Sequence, residues 1–89
     1  MSVEEIENKI KIILMNRFEI DTKKYWSDII NCPLLGYKMG IGPAELLYLF
    51  FDIEKEFNIT ISEKTVLKGE FDTIDSIINI VSNELMLKS

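Results

Sequence analysis

The 89-residue chain predicts an all-α fold: a small antiparallel four-helix bundle with a long loop between its first and second helices. Three observations predict it. Apolar residues recur at helical spacing in separate segments, and each segment opens on a residue able to cap a helix. Only four glycines and two prolines interrupt the chain. The one alternating stretch, Asn58-Ile59-Thr60-Ile61-Ser62, has no partner strand in the sequence and reads as an extended connector. At 47% hydrophobic and 28% charged, the chain is expected to fold as one helical domain over residues 1–89 rather than stay disordered.

The first helix is expected over about residues 3–16. Ser2 and Glu5 have the spacing of a capping box. Val3, Ile6, Ile10, Ile13 and Leu14 fall on one face, while Ile12 lies opposite and is expected to be partly exposed. Residues 17–42 break the pattern. Asp21 and Thr22 can start a short helical turn pairing Tyr25 with Ile29 and Trp26 with Ile30, and Pro33 ends it. Gly36, Gly40 and Gly42 mark a loop, whose Tyr, Trp, Ile and Leu residues are expected to pack onto the bundle.

The second helix is expected to begin at Pro43, since proline suits a first helical position, with Gly42 as cap and Glu45 adding first-turn negative charge. It runs to about Phe57. Leu46, Leu47, Phe50, Ile53 and Phe57 form its expected deepest face, and Leu49 and Phe51 widen the apolar arc past half the circumference. An arc that wide predicts a central helix contacted from several sides. Ser62 caps a short third helix through Leu67, ended by Gly69. Asp72 is the expected cap of the last helix, in which Ile74, Ile77, Ile78, Val81 and Leu85 share a face. The expected core joins Leu47, Phe50, Ile53, Phe57, Ile74, Ile78 and Val81.

Composition narrows function. There is no histidine, so the commonest general base and metal ligand is missing, and no nucleophile is paired with a base. An enzyme is not expected, nor a metal site or cofactor. The net charge of −5 argues against a nucleic-acid partner. The acidic opening and the lack of a long apolar run lead to the expectation of a cytoplasmic, monomeric protein that engages no membrane. The abundance of isoleucine, lysine and asparagine, with one alanine, suggests a bacterial source. Cys32 lacks an activating neighbour and reads as a packed or tolerated thiol. The carboxylates Asp52, Glu54 and Glu56, the first and last at i and i+4, read as a solvated face rather than metal ligands. Tyr25 and Trp26 can frame a ligand pocket or simply pack the loop.

The order of elements and several stretches together resemble the acyl carrier proteins. Glu54-Lys55-Glu56-Phe57-Asn58-Ile59-Thr60-Ile61-Ser62-Glu63 resembles the end of the carrier second helix and the segment after it. Phe71-Asp72-Thr73-Ile74-Asp75-Ser76-Ile77-Ile78 resembles the start of the carrier fourth helix, and Leu35-Gly36 the pair that precedes the attachment motif. The resemblance implies the carrier-type four-helix bundle. Its chemistry depends on a serine in an Asp-Ser-Leu motif that carries 4′-phosphopantetheine. Counted back from Phe57, that motif falls on Gly42-Pro43-Ala44, with Pro43 in the serine's place; counted forward from Leu35-Gly36, it falls near Met39. Neither supplies a hydroxyl, and Ser27 and Ser62 lie outside the helix start. The chain is similar to acyl carrier-related proteins of bacterial peptide-maturation systems that lack the attachment serine.

In carriers, the exposed edge of the second helix docks on partner enzymes. Here that edge holds Ala44, Tyr48, Phe51 and Lys55, with Tyr48 at a usual glutamate position and Lys55 at a usually acidic one. These four residues are the expected partner-binding set. The expected function is a non-catalytic carrier-like interaction module serving a biosynthetic or peptide-modifying enzyme. The alternative is a small acidic immunity or inhibitor protein that binds a basic toxin or enzyme.

Overall fold

A computed structural model describes residues 1–36 and 39–88; Tyr37, part of the loop expected to pack on the bundle, lies outside them. Among the described residues the fold is all-helical with five helices: α1 (Val3–Phe18), α2 (Thr22–Ile29), α3 (Pro43–Phe57), α4 (Glu63–Leu67) and α5 (Ile74–Lys88). The expected four-helix count is corrected by α2, which occupies the segment expected to be mainly loop.

The hub is α1, which packs against α5, α2 and α3. Its start is the expected capping box: the Ser2 hydroxyl accepts from the Glu5 N–H at 3.2 Å, and the Glu5 carboxylate faces the Ser2 N–H at 3.4 Å. Ile6, Ile10 and Leu14 are buried, and Ile12 is exposed as expected. Val3, expected on the inner face, is exposed because it sits in the first turn, beyond the end of the core.

α2 forms because Asp21 caps it, accepting from the Lys24 N–H at 3.1 Å, and because Ile29 is buried while Trp26 and Ile30 pack on the core. The chain beyond it is tied to the start of α5. The Ile30 carbonyl accepts from the Asp75 N–H at 3.0 Å, and the Leu34 N–H donates to the Asp72 carbonyl at 2.7 Å. Asp72 therefore contributes its backbone, and the side-chain cap of α5 is Thr73, whose hydroxyl accepts from the Ser76 N–H at 3.1 Å. Ile74, Ile77, Ile78 and Val81 then enter the core as expected.

α3 begins and ends where the sequence places it. Pro43 is its first residue, the Glu45 carboxylate accepts from the Gly42 N–H, and Asn58 closes it in the left-handed region at φ 52°. Its rotation differs from expectation. Leu49 and Ile53 are fully buried and Phe57 nearly so, whereas Phe50 is half-buried and Leu47 is 53% exposed. The wide apolar arc is not a sign of centrality: its excess faces outward, and α1 holds the central place.

Residues 59–62 form a connector without helix or strand, with Ile59 and Ile61 buried and the Ile61 N–H donating to the Glu54 carboxylate at 2.8 Å. α4 follows, capped by Ser62 and closed by Gly69 at φ 73°, where the Glu70 N–H reaches the Thr65 carbonyl at 3.0 Å. None of its residues is buried; Ile61 before it and Phe71 after it anchor it to the core. Among the described residues, no helix is long and apolar enough to cross a membrane.

Candidate docking surface

The expected partner-binding stripe lies on the outer side of α3. Leu49, Ile53 and Phe57 turn one face of this helix into the core, and helical geometry places Ala44, Tyr48, Phe51 and Lys55 on the opposite face. All four are exposed, as is Pro43 at the helix start, and Tyr48 and Phe51 each keep 53% of their surface in solvent. Phe51 is not core, but its ring still meets that of Phe50 edge-on at 5.7 Å between centroids.

The two edges of the stripe differ in chemistry. Toward α1 it is ionic. The Arg17 guanidinium forks onto the Asp52 carboxylate, with Nη2 at 3.0 Å from Oδ1, and its centre stands 5.5 Å from the Tyr48 ring centroid. The hydrogen bond to Asp52 raises the Arg17 pKa above its ordinary value, against the pull of desolvation, so the charge is held at every working pH. Lys9 reaches Glu56 at 3.4 Å. Asp52 and Glu56, read as a solvated face in the sequence, stay accessible to solvent and also pair across to α1. Among the described residues, no group of three or more His, Cys, Asp or Glu side chains is placed to hold a metal ion.

Toward α4 the surface is apolar. Pro43, Leu46, Leu47, Phe50 and Phe51 of α3 face Val66 and Leu67 of α4 across an open groove of about 360 Å³. Phe71 completes the lining, stacked edge-on against Phe50 at 5.5 Å, and Glu63 is the one charged residue in it. Leu47 and Val66 are exposed, and Leu67 is 83% exposed. Phe51 belongs to both features and joins stripe and groove into one surface. No protein-family model, curated protein or solved structure matches this chain.

The groove residues Leu47, Val66 and Leu67 were not legible as site residues, although two signals for them exist. The run Leu46 to Phe51 supplies more apolar side chains than one buried face accepts, and the five-residue α4 is too short to enclose both Val66 and Leu67. The other sequence candidates stay apart from this surface. Trp26 packs on the core with Lys11 Nζ 4.8 Å from its ring centroid. Tyr25 is exposed and borders a separate cavity with Ile20, Ile29 and Met39, so the two aromatics do not frame one pocket. Cys32 is half-buried against the core, and its thiol donates to the Asp28 carbonyl at 2.9 Å.

Proposed function

We propose that this chain is a non-catalytic, carrier-protein-like interaction module that docks on an enzyme of a biosynthetic or peptide-maturation system through the outward face of α3. The observation that carries this reading is the exposure of Tyr48 and Phe51 beside Ala44 and Lys55 on a helix whose opposite face is committed to the core. Two half-exposed aromatics on one rigid helix supply large contact area at little cost in conformational entropy, and aromatic residues are enriched among those that dominate binding energy.

The same helix gives the reading its chemistry. The start of α3 is where the resemblance to carriers puts the modified serine, and Pro43 there has no side-chain nucleophile. A phosphodiester to 4′-phosphopantetheine has no oxygen to form on, so the module acts by binding and holds no covalently tethered substrate.

The test is capture of partners by the tagged full chain in the source cells, repeated with Tyr48→Glu. A partner retained by the native chain and lost by the variant supports the proposal. Equal retention by both, with helicity unchanged in circular dichroism, removes α3 as the docking face.

A further inference from the structure

The groove between α3 and α4 has a composition that specifies more than a docking face. Eight of its nine lining residues are apolar, and none of those side chains offers a hydrogen-bonding group. Glu63 is the one side chain lining it that can orient a polar group. The exposed parts of Leu47, Phe51, Val66 and Leu67 amount to roughly 400 Å², about half of what each partner buries in a stable complex. That area matches one or two bulky side chains of a single helix.

Charge narrows the occupant further. Glu63 lines the groove and makes no ion pair among the described residues. The carboxylates on the other edge of α3, Asp52 and Glu56, are already engaged by Arg17 and Lys9. Lys64 and Lys68 flank the same segment but do not line the groove. The groove thus offers an apolar seat beside one uncommitted negative charge, on a chain whose net charge is −5. A fatty-acid carboxylate meets the wrong sign there, and a lysine or arginine next to an apolar anchor meets the right one.

We infer that the α3–α4 groove receives an apolar anchor of a basic amphipathic helix on the partner protein, with a cation of that helix paired to Glu63. The inference rests on α3 being the docking face. It divides the work between two parts of one surface: the Tyr48 stripe gives contact area, and the groove gives register and charge preference.

The test uses the full chain, 15N-labelled, titrated with a synthetic amphipathic helix bearing leucines at i, i+3, i+4 and i+7 and lysines beside them, and with its twin in which glutamates replace the lysines. The lysine peptide should shift amides of residues 46–51 and 63–67 and bind about tenfold or more tightly than the glutamate twin. Glu63→Lys should reverse that preference. Leu67→Ser should weaken the lysine peptide at least about fivefold. Both side chains are exposed, so wild-type helicity is expected, and Val66→Ser repeats the test at a second position. Shifts confined to other surfaces, equal binding of the two peptides, dodecanoate seated in the groove in the peptide's place, or self-association through these residues in sedimentation each overturn the inference. A captured partner weakened by Tyr48→Glu but indifferent to Leu67→Ser and Glu63→Lys overturns it while leaving α3 as the docking face. A partner and peptide that both ignore α3 end both proposals.

Discussion

Leu47 and Leu49 stand two positions apart on α3 and carry the same side chain, yet Leu47 is 53% exposed and Leu49 is fully buried. Leu49→Ala removes three buried carbons, worth about 2.4 kcal/mol in transfer, and leaves a cavity among Ile53 and its neighbours that adds to the loss. The expected cost is about 3–4 kcal/mol. Leu47→Ala removes atoms that are half in water and leaves no enclosed void, so its expected cost is about 0.5–1 kcal/mol, partly offset by the better helix propensity of alanine. For a chain of 89 residues the total stability is on the order of 4–13 kcal/mol, so the first change takes a large share. Thermal melts followed at 222 nm should place Leu49→Ala about 12–30 °C below the native chain and Leu47→Ala within about 8 °C of it. The sequence pattern alone predicts the opposite order, with Leu47 on the deepest face. Equal losses, or a larger loss for Leu47→Ala, would refute the helix rotation and with it the exposure of the groove.

Further outcomes follow from single contacts. Thr73→Ala should cost about 1 kcal/mol by removing the cap of α5, whereas Asp72→Ala, which keeps the backbone carbonyl that Leu34 uses, should cost less; paired urea titrations decide. Glu54→Ala leaves the part-buried Ile61 N–H without its acceptor and should cost about 1–3 kcal/mol, while Glu54→Gln retains an acceptor and should cost less. Incubation with coenzyme A and a promiscuous phosphopantetheinyl transferase should leave the intact mass unchanged, and Pro43→Ser alone should be modified poorly because Gly42 and Ala44 also depart from the carrier motif. A pantetheine-sized gain mapped to Ser27 or Ser62 would contradict the binding-only reading.

The ends of the helices were the most legible part of the fold, because capping chemistry is local. Ser2 with Glu5, Gly42 before Pro43, and Ser62 before α4 act within three residues of where they stand in the sequence. α2 was only half legible: Asp21 marked its start, but two i,i+4 pairs in an eight-residue helix are a weak signal until Ile29 and Trp26 find the core. The cap of α5 was misread by one position because Asp72 and Thr73 are adjacent and both competent, and the choice falls to Leu34, which claims the Asp72 carbonyl. The rotation of α3 was illegible for a simple reason. Six consecutive residues from Leu46 to Phe51 are apolar or aromatic, so the hydrophobic pattern has no sharp direction, and packing against α1 selects the Leu49–Ile53 face. The stripe Ala44, Tyr48, Phe51 and Lys55 was legible as a face. Its continuation onto α4 was not, since the shortness of the helix after Ser62 signals exposure of Val66 and Leu67 but not that they lie across from α3.

The most direct measurement is calorimetric titration of the captured partner into the native chain and into Tyr48→Glu, each first shown to be folded. If the outward face of α3 is the docking surface, the variant should bind weaker by about 1–3 kcal/mol with a melting temperature within about 8 °C of the native chain's, the loss of the Arg17–Tyr48 contact included. Affinity equal to that of the native chain would place the binding surface elsewhere on the molecule and contradict the proposed function of this helix.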